Sequence, residues 1–266
     1  MTWHTEPMLA LDTETTGINI ETDRIVSAAA IHVSRQGAKP RTWLSDAGGV
    51  DIPEGATAIH GITTEHAHAH GTPAKEVVED VLYHLGEAVK NGVPVVGHNV
   101  VYDLSILDRE ARRHLGCGLD GAFNVGQMRV IDTSVLDKHV LPRRRRPSPT
   151  QGPRQLITVA QVYTLGWDEQ AAHGSEYDAL MAARVAYRIG SLVQMPREQR
   201  PEFELGRYQQ FDQLAGLGLD ALHDRQVVWA AEQAAGLESY FRQKDPTAVV
   251  DGRWPLIPFD PEGVSA

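Results

Sequence analysis

The stretch LALDTETTG, residues 9–17, fixes the first strand of the fold. It opens apolar at Leu9, Ala10 and Leu11, carries carboxylates at Asp12 and Glu14, and closes on Thr15-Thr16-Gly17. A short apolar run stopped by glycine reads as a strand. Side chains two apart on a strand share a face. Asp12 and Glu14 then stand side by side, about 7 Å apart at their Cα atoms. Two like charges that close repel each other unless something positive lies between them. The pair therefore demands a positive partner.

The chain has 266 residues, 42% hydrophobic and 23% charged, an ordinary globular composition. That length fits one domain with an appendage or two domains, with a core that needs no staples. Cys117 is the single cysteine, so no internal disulfide forms and a reducing, cytoplasmic setting is expected. No run of 18 apolar residues occurs, and residues 1–7 lack a signal-peptide core, so no membrane contact is expected. The net charge of −10 argues against a basic DNA-coating protein. It leaves room for a nucleic-acid enzyme, because a metal site is itself acidic and its ions supply the positive charge.

RIVSAAAIHV (24–33) and RTWLS (41–45) read as the next two strands, joined by short antiparallel connections. DIPEGATAIHGITTEHAHAHG (51–71) reads as loop with short helical turns. TPAKEVVEDVLYHLGEAVKNG (72–92) is a helix with Thr72 as N-cap, Pro73 at its first position and a stripe of Val77, Val81, Leu85 and Val89. VPVVGHN (93–99) is a short buried strand, followed by a helix over 101–116 with Leu104, Leu107 and Ala111 on one face. MRVIDT (128–133) is a strand entering a helix near Ser134–Val140, with Asp132-Thr133 as the cap. Further helices are expected at 155–165 and 176–193. Strands first, then βαβα, give an α/β fold with a mixed sheet.

Between Leu141 and Gln155 lie five arginines and no acid, which reads as a mobile basic loop containing Arg143–Arg146. Residues 196–266 hold seven Lys/Arg against twelve Asp/Glu and one convincing helix, about 220–244. Val227, Ala230, Ala234, Leu237 and Phe241 form its expected packing stripe, and Trp229 and Tyr240 are read as packing residues. The chain is thus divided into residues 1–195 and an extension, 196–266.

Two more segments bear on the opening pair. GHNVVYD (97–103) places Asp103 early on a helix after a buried strand. HGSEYDA (173–179) places Asp178 on a helix and His173 just before it. Five residues on one continuous helix span about 500°, so His173 works with Asp178 only from the preceding loop, which Gly174 permits. Taken singly, Asp103 is a helix N-terminal charge, His173 a surface histidine and Asp178 an exposed helix residue. His60, His66, His68 and His70 lack the companion cysteines of a zinc site and read as a solvated loop.

The set changes these readings. LALDTETTG, RIVSAAAIHV, IPEGATAIHGIT, VVGHNVVYDLSIL, VIDTSVL and HGSEYDAL occur in this order over about residues 8–190. In that series the chain resembles the 3′-to-5′ exonucleases of the DEDD type, histidine subclass, and within them the proofreading epsilon type of bacterial DNA polymerase III. The resemblance implies a ribonuclease-H-like fold, a five-stranded mixed sheet with helices on both faces, here with a helical C-terminal extension. It implies that Asp12, Glu14, Asp103 and Asp178 hold two divalent cations, Mg²⁺ or Mn²⁺, and that His173 is the general base. It further implies that Thr15, Thr16, His60 and Ile62 meet the terminal nucleotide, with His98 and Asn99 fixing the site. Hard cations want such oxygen ligands, and histidine titrates near neutral pH. The implied substrate is the 3′ end of a single strand, DNA favoured, with RNA trimming as the alternative. A polymerase or other partner docking on the C-terminal helix remains a further expectation.

Overall fold

The computed structural model describes residues 2–203 and 208–261. The run containing the Asp-x-Glu pair forms β1 (Met8–Thr15), the middle strand of one sheet. Next come β2 (Ile25–Ser34) and β3 (Gly37–Leu44), then β4 (Val95–Gly97) and β5 (Val130–Asp132). The strand order is β3-β2-β1-β4-β5. β1, β2 and β3 pair antiparallel, whereas β1, β4 and β5 run parallel. β3 begins at Gly37, earlier than the pattern of 41–45 suggests, because Gly37 takes φ 116° and pairs directly with Ser34 across a tight turn. Its Lys39, Pro40 and Arg41 are exposed, the residue types that protect an edge strand.

The helices are α1 (Glu54–His60), α2 (Thr64–His70), α3 (Ala74–Lys90), α4 (Val101–Leu115) and α5 (Leu119–Ala122). They are followed by α6 (Thr133–Val140), α7 (Leu156–Val162), α8 (Ser175–Gln194) and α9 (Leu219–Phe241). α8 lies across β1, β2 and β4, while α3 and α4 pack on each other and on the sheet. The sheet is thus covered on both faces. Val77, Val81, Leu85 and Val89 of α3 and Leu104, Leu107 and Ala111 of α4 are buried, as their spacing predicts.

Four local expectations are corrected. The short helical turns expected within 51–71 are two regular seven-residue helices that take up most of the stretch, separated at Gly61 (φ 75°) and set by the Thr63 cap on the His66 amide. Only Ala67 of the two is buried, so apolar periodicity carried no signal. Thr72 does not cap α3; its backbone pairs with Leu44 and Asp46, and the Asp46 carboxylate takes the Ala74 amide at 2.8 Å. On α9, Val227, Leu237, Tyr240 and Phe241 are exposed, and Leu222, Gln226 and Trp229 are buried. A polar residue at the centre of the buried face hides the stripe.

Gln226 explains that face. Its side-chain amide donates to the Val130 carbonyl at 2.9 Å and accepts from the Asp132 amide at 2.8 Å. It thereby occupies the place of a sixth strand and satisfies the open edge of β5. Trp229 stacks on His139 at 3.6 Å between ring centroids. Beyond α9, Trp254 donates to Asp132 and the Ile257 amide donates to Ser105 on α4. Arg109 of α4 holds the Ile257 carbonyl at 2.8 Å.

The fourth correction concerns the arginine run. Arg144 is a fully buried side chain paired with the equally buried Asp137 of α6. Arg154 joins the same carboxylate at 2.6 Å and also holds the carbonyls of Leu141 and Pro142. Arg143 lies over the Tyr208 ring. The loop is clamped at its base because a buried carboxylate requires cations, a demand that composition alone does not display. Among the described residues no helix is long and apolar enough to cross a membrane.

Candidate active site

β1 outruns β4. Their last pair is Ala10 with Val96, so the Thr13 amide has no partner on that side. Asp103, in the first turn of α4, fills the gap: its Oδ1 accepts from the Thr13 amide at 2.9 Å and from the Thr13 hydroxyl at 2.7 Å. The turn that launches α4 is tight. A Cβ at Gly97 would lie 2.7 Å from the Val100 side chain, and Asn99 takes φ 63°. Asp132 steadies that turn by accepting the Asn99 amide at 2.9 Å while capping α6 through the Ser134 amide.

Asp12 and Glu14 share one face of β1, as their spacing predicts, and α8 brings Asp178 to them. One oxygen from each of Asp12, Glu14 and Asp178 lies within 4.8 Å of the others. Asp103 stands outside this trio, yet its charge acts directly on Asp12. His173 occupies the turn before α8, off the helix that carries Asp178, as helix geometry demands if the two are to face each other. The left-handed residue there is His173 itself (φ 62°), whereas Gly174 is extended. The glycine is therefore not what makes the turn.

Crowding shows in the acidities. Burial, followed by the charges of Asp103, Asp178 and Glu14, holds Asp12 well above the usual carboxylate range. Burial and the neighbouring Asp178 push Glu14 to about 8. Burial lifts Asp103 to about 7, against the two Thr13 hydrogen bonds that favour its ionised form. Burial lifts Asp178 to about 6, opposed by His173. One oxygen of Asp178 is buried without a hydrogen-bond partner. Three crowded carboxylates and an orphaned buried oxygen fit a divalent cation, which supplies both the charge and the missing contact.

A stability signature follows. These groups bind protons more tightly in the folded chain than in the unfolded one, so stability falls as pH rises from about 4 toward 8. Without added metal, the melting temperature is expected to drop by about 5 °C or more between about pH 5 and pH 8.5. Mn²⁺ at the upper pH should restore it. A scanning-fluorimetry series with and without chelator measures both effects, and a pH-independent melting temperature would contradict the crowding.

The other predicted contacts divide into two kinds. Thr16 is tied to Asp23 at 2.9 Å, and the Thr15 hydroxyl donates to the Gly17 carbonyl at 2.6 Å. His98 uses both ring nitrogens within the fold, toward Thr133 and the Arg154 carbonyl. Asn99 contributes through its backbone. His60 accepts the Ile62 amide on Nδ1, and its Nε2 is buried without a hydrogen-bond partner. Ile62 packs on the small cluster around Val26. Tyr102, which is not among the predicted site residues, donates its hydroxyl to the Gly17 carbonyl at 2.5 Å beside Thr15 and ties α4 to the end of β1. The clustered histidines form no metal group among the described residues; His66 and His70 lie ring to ring at 4.9 Å.

Comparison with known proteins supplies the frame. The chain is 22% identical over 236 residues to the PolC-type DNA polymerase III of Lacticaseibacillus paracasei, covering 88% of this chain and 14% of that one. It is 23% identical over 188 residues to ribonuclease T of Hahella chejuensis, covering 66% and 80%. E. coli exonuclease I, crystallised with a dT13 oligonucleotide, superposes with a TM-score of 0.56 at 18% identity, over 69% of this chain and 41% of that one. The chain thus spans a small part of the polymerase and about two-fifths of exonuclease I. The last likeness establishes the fold. The model of the exonuclease family matches residues 9–186. That match takes in every carboxylate of the cluster, and the chain belongs to the DEDD 3′-to-5′ exonuclease family.

Proposed function

We propose that this protein is a divalent-metal-dependent 3′-to-5′ exonuclease that shortens single strands, DNA in preference to RNA, and releases nucleoside 5′-monophosphates. The observation that carries this reading is the convergence of Asp12, Glu14 and Asp178 within 4.8 Å. Asp12, Glu14 and Asp178 would hold the ions directly, and Asp103 would support them through water. Two Mg²⁺ or Mn²⁺ ions, when bound, stabilise charge on the attacking and leaving oxygens of an in-line displacement. His173, on the exposed turn, takes the proton from the attacking water as its oxygen bonds to phosphorus and the 3′ oxygen departs. Thr15, Thr16, His60 and Ile62 border the terminal nucleotide. His98, Asn99 and Tyr102 act indirectly, by fixing the turn and strand end that aim the carboxylates.

Residues 1–195 carry catalysis in this reading, and 196–266 brace it through the β5 edge. The dT13 complex of exonuclease I supports a single-stranded DNA substrate. Ribonuclease T keeps RNA as the second reading. The PolC-type polymerase relative supports a polymerase setting, for which the exposed Val227, Leu237, Tyr240 and Phe241 on α9 offer a docking ridge. A cytoplasmic location suits such substrates.

The test uses matched 5′-labelled DNA and RNA strands with Mg²⁺ or Mn²⁺. A ladder receding from the 3′ end, faster on DNA and abolished by chelator, is the expected result. Internal cuts, or digestion that survives chelation, would defeat the proposal. Faster loss of RNA would select the second reading.

A further inference from the structure

A second concave site lies at the opposite end of β1 from the carboxylates. Met8, which starts the strand, lines a cavity of about 700 Å³ together with Val33, Leu165, Leu180, Ala183 and Tyr187. From Met8 to Glu14 the strand advances roughly 20 Å, so this cavity is separate from the cluster. Its floor is aliphatic, and Tyr187 is 56% exposed. His4 also lines it. This histidine is 93% buried (7% exposed), its Nδ1 has no hydrogen-bond partner, and its pKa is lowered by burial. Gly190 makes room for it, since a Cβ there would lie 2.2 Å from the His4 ring.

The rim is cationic. Arg35, Arg184 and Arg188 surround the apolar floor, against one acid, Glu6. None of the three guanidinium groups forms an ion pair or a side-chain hydrogen bond among the described residues. On a chain of net charge −10, three uncommitted arginines around one apolar hollow form a local field of the opposite sign.

We propose that this cavity docks an acidic peptide segment of a partner protein, with an apolar side chain seated on the floor and carboxylates meeting the three arginines. Charge complementarity selects an anionic occupant. The floor selects a peptide over a nucleic-acid strand. Bases need flat aromatic platforms, whereas Met8, Val33, Leu165, Leu180 and Ala183 offer aliphatic contact and the Tyr187 ring meets His4 edge-on. Docking here leaves the carboxylate end free, so a bound partner would present the nuclease without blocking it.

The experiment selects a phage-displayed random dodecapeptide library on the full-length protein. Counter-selection uses the triple variant Arg35→Glu, Arg184→Glu, Arg188→Glu. Selected peptides are expected to be rich in Asp and Glu with one or two large apolar residues. Their fluorescence-anisotropy affinity should fall at least about tenfold on the triple variant and decline with salt. An Ala183→Trp variant, which fills the floor without touching charge, should also weaken them. Nuclease activity and melting temperature should stay unchanged in the triple variant. Selection without acidic bias, binding indifferent to the triple variant, or competition by a dT oligonucleotide would each overturn the proposal. So would self-association that the triple variant abolishes, because the occupant would then be a second copy. Each readout is binding, so it fails or succeeds apart from the exonuclease reading.

Discussion

Asp12→Asn is expected to lower the rate of 3′ digestion by on the order of 10³-fold, the upper range for removing one preorganised electrostatic contact. Asp12 feels the charges of Asp103, Asp178 and Glu14, and one of its oxygens lies within 4.8 Å of those of Glu14 and Asp178. The same substitution is expected to raise the melting temperature of the metal-free protein at about pH 8, because it removes one of several mutually repelling charges. Asparagine keeps the shape, so the two effects separate charge from packing. Single-turnover digestion measures the first, and fluorimetry with chelator the second. An active variant, or one destabilised without metal, would show that Asp12 is not part of the charged site on which digestion depends.

Asp137→Ala is expected to destabilise the fold by about 3–5 kcal/mol, the usual cost of removing one partner from a buried ion pair. Asp137 and Arg144 are both fully buried, and Arg154 shares the carboxylate. Alanine strands the Arg144 charge in the core and releases the base of the 141–155 loop. Adding Arg144→Met should recover a large part of the loss, because it removes the stranded charge. Urea unfolding of the two single variants and the double variant completes the cycle. A loss below about 1 kcal/mol would mean that the arginine is hydrated after all. The Arg154 carbonyl also holds His98, so the loop variant should slow catalysis indirectly.

The two effects differ in how visible their residues are in the sequence. Asp12 and Glu14 announce themselves because a strand alternates with period two and places them side by side whatever surrounds it. The α3 and α4 stripes are legible for the same reason, since a helix repeats its buried face every three to four residues. Asp137 and Arg144 do not announce themselves. Seven residues apart, across a helix end and a proline, they meet only because the loop returns over α6. Gln226 is hidden in a similar way, because a glutamine that replaces a missing strand looks like a solvated helix residue.

Local periodicity and the order of six short words therefore determined the mixed α/β sheet, the carboxylate pair and the place of His173 before α8. Tertiary structure alone decided that Asp103 fills the gap where β4 ends, that the arginine run is anchored rather than free, and that α9 and the Trp254 segment close the β5 edge. The physical reason is the range of the forces involved. Backbone geometry acts between near neighbours and is written residue by residue, whereas a buried charge or an unpaired strand edge is satisfied by whichever distant group the folded chain brings to it.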